Sequence, residues 1–210
     1  MRFDHDPPHL PAMSDATRVE RLATRTRSER KRAWYELASR LFAREAVKEA
    51  VATRVRFHAS PETIWHHLMF YEDVPRRPAL LLRTVLPSPV RTEGDKTCLG
   101  ATVRCAYNEG DVTKRITRVE RARLLQFEVV EQRLGIEGCV RTLGGSYEIH
   151  RCGDASELLM TTNYHAYLRP RFFWRLVEAF LVGQLHRHIL GGISAALPVD
   201  RSCARLLRNP

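Results

Sequence analysis

The sequence predicts an α+β domain in which about seven antiparallel strands form one strongly curved sheet around a long carboxy-terminal helix, with a helical arm added at the amino terminus. Three observations predict it. Between Leu81 and Leu168, apolar and polar residues alternate in segments separated by short turns, and short turns demand antiparallel pairing. From Arg171 to about Ala196, after Pro170, apolar side chains cover most of a helix's circumference, more than one flat layer can bury, so a sheet must curl around it. From Ala16 to Ala50 the chain has neither Gly nor Pro and consists of good helix formers.

Taken in order, residues 1–13 are proline-rich and aperiodic, a disordered lead-in. Residues 14–50 form the helical arm, capped by Ser14 and Asp15. Its first half, Arg18 to Arg32, is strongly basic and reads as solvated. In its second half Trp34, Leu37, Ala38, Leu41, Phe42 and Val47 recur at steps that make an apolar stripe, which must dock on a surface. After Ala50 the period changes to two: Val51, Thr53, Val55 and Phe57 share one face of a strand, which opens the main domain, 51–197. Ser60 then caps a helix with Pro61 in its first position and Ile64, Trp65 and Leu68 facing inward. That helix stops near the segment from Val74 to Pro78, and a short helix around Ala79 is predicted after it. Strands follow at Leu82–Val90, Ala101–Asn108, Val112–Val119, Leu125–Gln132, Val140–Arg151 and Leu158–Leu168. Gly144 and Gly145, inside a strand, mark a bulge or a close approach of backbone. Pro198 ends the last helix, and residues 198–210 form a basic tail.

Composition limits what this domain can do. With 44% hydrophobic and 28% charged residues in a 210-residue chain, rods, collagen and wholesale disorder are excluded. The net charge of +10 comes from 34 basic and 24 acidic residues, and only four of the basic ones are lysines. The excess is spread along the chain, which argues against nucleic acid as a partner, although the basic arm suits an anionic membrane surface. The five cysteines, Cys98, Cys105, Cys139, Cys152 and Cys203, form no CxxC pair and no zinc pattern, so reduced thiols and a cytoplasmic location are expected. The stretch from Phe172 to Leu197 is broken by Arg175, Glu178 and Arg187 and does not read as a membrane span.

The segment Val55-Arg56-Phe57-His58-Ala59-Ser60-Pro61-Glu62-Thr63-Ile64-Trp65 is similar to the opening strand and capped, Trp-bearing helix of the START-like superfamily. The hairpin from Ile116 to Glu128, and Gly145-Ser146-Tyr147-Glu148-Ile149 with the strand from Leu158 to Tyr164, resemble that superfamily's central and final hairpins. The resemblance spans Val51 to Ala196 and implies the helix-grip fold of polyketide cyclases and lipid-transport proteins. It carries over no catalytic residue and implies no cofactor.

A sheet bent around a straight helix leaves a hollow, so the function expected is binding, and transport, of a small hydrophobic or lipid-like ligand. The alternative is a polyketide aromatase/cyclase or dehydratase working in the same space. The residues expected to touch the ligand are Tyr107, Arg115, Phe127, Tyr147, Met160, Tyr164, Leu176 and Phe180. The tyrosines would orient it, since a buried phenol needs a partner. Arg115, if inward, would pair with a ligand carboxylate or enolate. The pairs His66/His67 and His186/His188 point in divergent directions on their helices, so no metal site is expected. A second copy of the chain is an alternative partner for the Trp34 to Val47 stripe.

Overall fold

The computed structural model describes residues 15–70, 85–87, 89–197 and 205–207, and of these the side chains of 15–27, 70, 194–196 and 205–207 are not described. The lead-in, the helix around Ala79 and most of the basic tail therefore lie outside the described residues. In chain order the elements are α1 (Asp15–Phe42), β1 (Ala43–Phe57), α2 (Pro61–Phe70), β2 (Pro89–Glu93), β3 (Thr102–Tyr107), β4 (Gly110–Glu120), β5 (Leu124–Arg133), β6 (Val140–Cys152), β7 (Ala155–Leu168), α3 (Arg171–Ala196) and β8 (Arg205–Leu207).

The strands form one antiparallel sheet in the order β2-β3-β4-β5-β6-β7-β1-β8. Strands β2 to β7 are a meander, and β1 returns beside β7. Helix α3 packs on β1 and β7, with α2 beside it. This is the helix-grip arrangement: a curved antiparallel sheet holding a long carboxy-terminal helix.

Curvature comes from bulges, where an extra residue bends one strand and increases its twist. Register shifts occur between Thr113 and Lys114, between Ile116 and Arg118, and between Thr142 and Gly144. At the last of these only glycine fits. A Cβ on Gly144 would press on the Phe127 carbonyl, and one on Gly145 on the Thr161 carbonyl and the Phe127 ring. The main core lies beneath this bend, where Phe57, Ile64, Leu158, Leu190 and Ile193 are all but completely buried. The cap of α2 is as the sequence predicts, with the Thr63 amide donating to Ser60 Oγ at 3.2 Å.

Three local expectations are corrected. The helix predicted to reach Ala50 ends at Phe42, and residues 43–50 extend β1 instead. Their helix propensity is overridden because β7 runs on to Leu168 and needs a paired neighbour: Ala43 lies opposite Leu168 and Val47 opposite Ala166. Of the strand predicted at Leu82–Val90, residues 82–84 and 88 lie outside the described residues, 85–87 are not strand, and 89–90 begin β2, Pro89–Glu93, which is paired to β3 from Tyr107 to Arg104. Lys31, assigned to the solvated half of α1, is buried, because the docked face of α1 is Lys31, Tyr35 and Ala38; of the predicted stripe on this helix Ala38 docks, whereas Trp34, Leu37, Leu41 and Phe42 are exposed.

Candidate functional site

Between the concave face of the sheet and α3 lies a cavity of about 390 Å³. That is within the range of roughly 300–1,000 Å³ typical of small-molecule sites. Alternation along the strands supplies one wall: Tyr107 of β3, Lys114 of β4, Phe127 and Val129 of β5, and Met160, Thr162 and Tyr164 of β7. Helical periodicity supplies the opposite wall, with Trp174, Glu178, Leu181, Leu185 and Ile189 of α3 recurring at three- and four-residue steps. Trp34 and Tyr35 of α1 close one side.

Helix α1 is fixed there by polar bonds as well as packing. Tyr35 and Ala38 pack with Cys139 and Leu168, and the Tyr35 hydroxyl donates to the Val85 carbonyl. Lys31 Nζ donates to Glu109 Oε1 at 2.6 Å and to the Leu86 carbonyl at 3.0 Å. Trp34 and Phe173 line the cavity yet are 47% and 51% exposed, so the cavity opens between α1 and the first turns of α3.

Few polar groups enter the cavity, and most of them are committed. Glu178 is held by Arg171 at 2.8 and 2.9 Å, and Tyr164 donates to it at 3.5 Å. Arg171 also bonds Glu49 at 3.0 Å, and Glu178 first, with Glu49, holds its guanidinium well above the ordinary arginine value. His186 lies between Thr162 and Thr53, whose hydroxyls are 2.8 and 2.9 Å from its two ring nitrogens. Burial, with a smaller contribution from the Lys114 charge, pulls the imidazole down to about 4, so it is neutral at neutral pH.

Lys114 differs from these groups. Its Nζ sits 4.4 Å from the centre of the Phe127 ring, over its face, and the ion pairs of the described residues do not include it. Burial, the largest influence, opposes its charge, and it is raised above the ordinary lysine value only through negative charge on Cys105, Tyr147 and Tyr107 and a hydrogen bond to Cys105. Burial in turn pushes Tyr107 up to about 12 and raises Tyr147, so both are neutral phenols.

Of the residues expected from sequence to touch a ligand, Tyr107, Phe127, Met160 and Tyr164 line the cavity. Tyr147 is buried just behind it, its ring 6.1 Å from that of Phe127. The other three are placed elsewhere. Arg115 points outward and pairs with Glu128 at 3.3 Å. Leu176 and Phe180 are 49% and 46% exposed, on the face of α3 turned away from the sheet. The last helix is thus gripped on one side only, and its outer apolar row, Phe172, Leu176 and Phe180, is bare. Sequence reasoning missed Lys114, Glu178, His186 and the two α1 aromatics. For Lys114 a signal existed: Val112, Lys114 and Ile116 alternate on one face, and both flanking aliphatics are buried. Among the described residues no group of three or more His, Cys, Asp or Glu is placed to hold a metal ion, and no helix is long and apolar enough to cross a membrane.

No protein-family model matches the chain, and no curated protein matches it. Solved structures do. Norcoclaurine synthase from Thalictrum flavum, in complex with a transition-state analogue, is similar at 15% identity and a TM-score of 0.49, over 73% of this chain and 96% of that one. An aromatase/cyclase from a Streptomyces species is similar at 14% identity and a TM-score of 0.48, over 71% of this chain and 96% of that one. A major latex-like protein from Panax ginseng is similar at 15% identity and a TM-score of 0.48, over 71% and 97%. At such identities function has to be argued from this chain's own residues.

Proposed function

We propose that this protein binds a small, largely apolar molecule in the cavity between sheet and α3, and carries it between compartments or partners. The observation that supports this reading most is the cavity itself: about 390 Å³ of space walled mainly by aromatic and aliphatic side chains. An apolar hollow of this size is filled favourably by an apolar ligand, at about 25 cal/mol per Å² of apolar surface removed from water.

The carrier reading is preferred over a cyclase or dehydratase because the histidine and the carboxylate on the wall are engaged. Both nitrogens of His186 are taken by threonines, and both oxygens of Glu178 by Arg171.

The opening also bears on the route of loading. Trp34, Leu37, Leu41 and Phe42 of α1 and Phe172, Phe173, Leu176 and Phe180 of α3 are all exposed, and Phe42 meets Trp174 at 5.9 Å, so the two rows adjoin at the mouth. An apolar collar of this kind marks an interaction surface. With Arg30 and Arg32 exposed on the same helix, the partner we assign is an anionic membrane surface.

Titration with N-phenylnaphthylamine, a neutral dye that brightens in apolar surroundings, tests the binding reading. Saturable enhancement at one dye per chain is expected. A protein that is folded and yet leaves the dye dark overturns it.

A further inference from the structure

We propose that the cavity's ligand is an amphiphilic carboxylate, its anionic head held by Lys114 with the Tyr107 phenol beside it and its apolar tail directed toward the mouth. This rests on the cavity-binding reading and adds the chemical class of the ligand.

The inference starts from a cation in an apolar place. Lys114 lies deep in the protein with part of its surface facing the cavity. A buried ammonium is costly unless paired, and here its surroundings are the Phe127 face, two neutral phenols and the Cys105 thiol. The carboxylates of the described residues are placed elsewhere: Glu178 and Glu49 serve Arg171, Glu109 serves Lys31, and Glu128 serves Arg115. An entering anion would supply the missing partner, and the Tyr107 phenol would donate to it.

The charge count selects a monoanion. One lysine faces the space, and Arg171, the other nearby cation, is neutralised by two glutamates. A phosphate dianion would leave a buried negative charge uncompensated, whereas a carboxylate matches one ammonium. A carboxylate bound beside it would itself keep the ammonium charged. The geometry favours an elongated molecule. His186, whose neighbour is Lys114, and Trp174, close to the mouth, are twelve residues apart on α3. That is about 18 Å of helix.

Displacement of N-phenylnaphthylamine by dodecanoate and by dodecanol tests the proposal, at a pH where the carboxyl group is fully ionised. The two competitors share a tail and differ in head charge. The wild-type protein is expected to bind dodecanoate about tenfold or more tightly than dodecanol, the advantage expected of a charge-assisted bond. In Lys114→Met that preference is lost through weaker dodecanoate binding, with dodecanol unchanged. In Lys114→Arg the preference remains. Equal binding of the two competitors to the wild type, a preference for dodecanol, or a dodecanoate advantage that survives in Lys114→Met would each overturn the proposal. If the dye binds but neither competitor displaces it, the carboxylate assignment fails while cavity binding stands. If the dye itself does not bind, cavity binding fails first. Should Lys114→Met not fold, Lys114→Gln takes its place, and the wild-type comparison decides independently of either variant.

Discussion

Lys31 on α1 and Glu109 in the β3–β4 turn form a buried ion pair at 2.6 Å, with each side chain 5% exposed, across 78 residues of sequence. It ties the arm that closes one side of the cavity to the sheet that forms its floor. Glu109 Oε2 has no hydrogen-bond partner, so the pair has little to spare if one member is lost. Breaking a buried pair from one side costs about 3–5 kcal/mol, because a charge is stranded. We expect Lys31→Met and Glu109→Leu each to lose that order of stability in urea unfolding, and the double substitution to recover most of it. Additive losses in the double-mutant cycle would mean that the pair contributes no coupling.

His186 makes stability depend on pH in a defined window. Its pKa falls from 6.5 to about 4 on folding, burial being the main cause. Above 6.5 both the folded and the unfolded chain keep it neutral, and it adds no pH dependence. As pH falls from there toward 4, the unfolded chain takes up a proton that the folded chain refuses, so stability drops by about 2–4 kcal/mol. Urea unfolding at neutral pH and at the acid end of that window should show a smaller loss for His186→Gln than for the wild type. Identical losses would place the imidazole in a more solvated setting than the one described.

The bend at Gly144 and Gly145 should tolerate no side chain. A Cβ on Gly145 meets the Thr161 backbone and approaches Phe127 Cζ at 3.1 Å, so both neighbouring strands would have to shift. Gly145→Ala is expected to cost about 2–4 kcal/mol, as for other strained or overpacked sites. Gly191, inside α3, is the control, since nothing lies within 4 Å of its Cβ position. Gly191→Ala should stabilise by about 0.5–1 kcal/mol through helix propensity. Thermal melts of the two variants should move in opposite directions.

The bare collar should govern membrane association. Phe172 is 79% exposed and Phe180 46%. Each phenylalanine buried in a bilayer interface contributes about 1.5–3 kcal/mol. Replacing Phe172 and Phe180, neither of which lines the cavity, with serine should weaken co-sedimentation with anionic vesicles by about tenfold or more, while dye binding in the cavity persists. Wild-type protein that ignores vesicles and instead dimerises with concentration would assign the collar to a second copy of the chain.

Strand alternation and the oily last helix made the architecture legible in the sequence, because both periods are set by burial on known faces. What stayed hidden depended on tertiary partners. Residues 43–50 have the composition of a helix, and only the length of β7 shows that they must pair. The predicted stripe on α1, centred on Trp34, Leu37 and Leu41, is offset from the docked face, because the neighbouring Lys31 becomes a buried residue once Glu109 is folded beside it. Arg115 and Lys114 are adjacent cations, and choosing the inward one required knowing that Val112 and Ile116 face the core. Leu176 and Phe180 were misplaced because a helix that is apolar all round does not say which side the sheet takes.

Native mass spectrometry of the wild type and of Val129→Trp, whose indole would fill the cavity, tests the central claim most directly. The account predicts that wild-type protein incubated with N-phenylnaphthylamine carries one molecule of it, and that the folded Val129→Trp variant carries none. Equal retention by both, or none by the wild type, would contradict it.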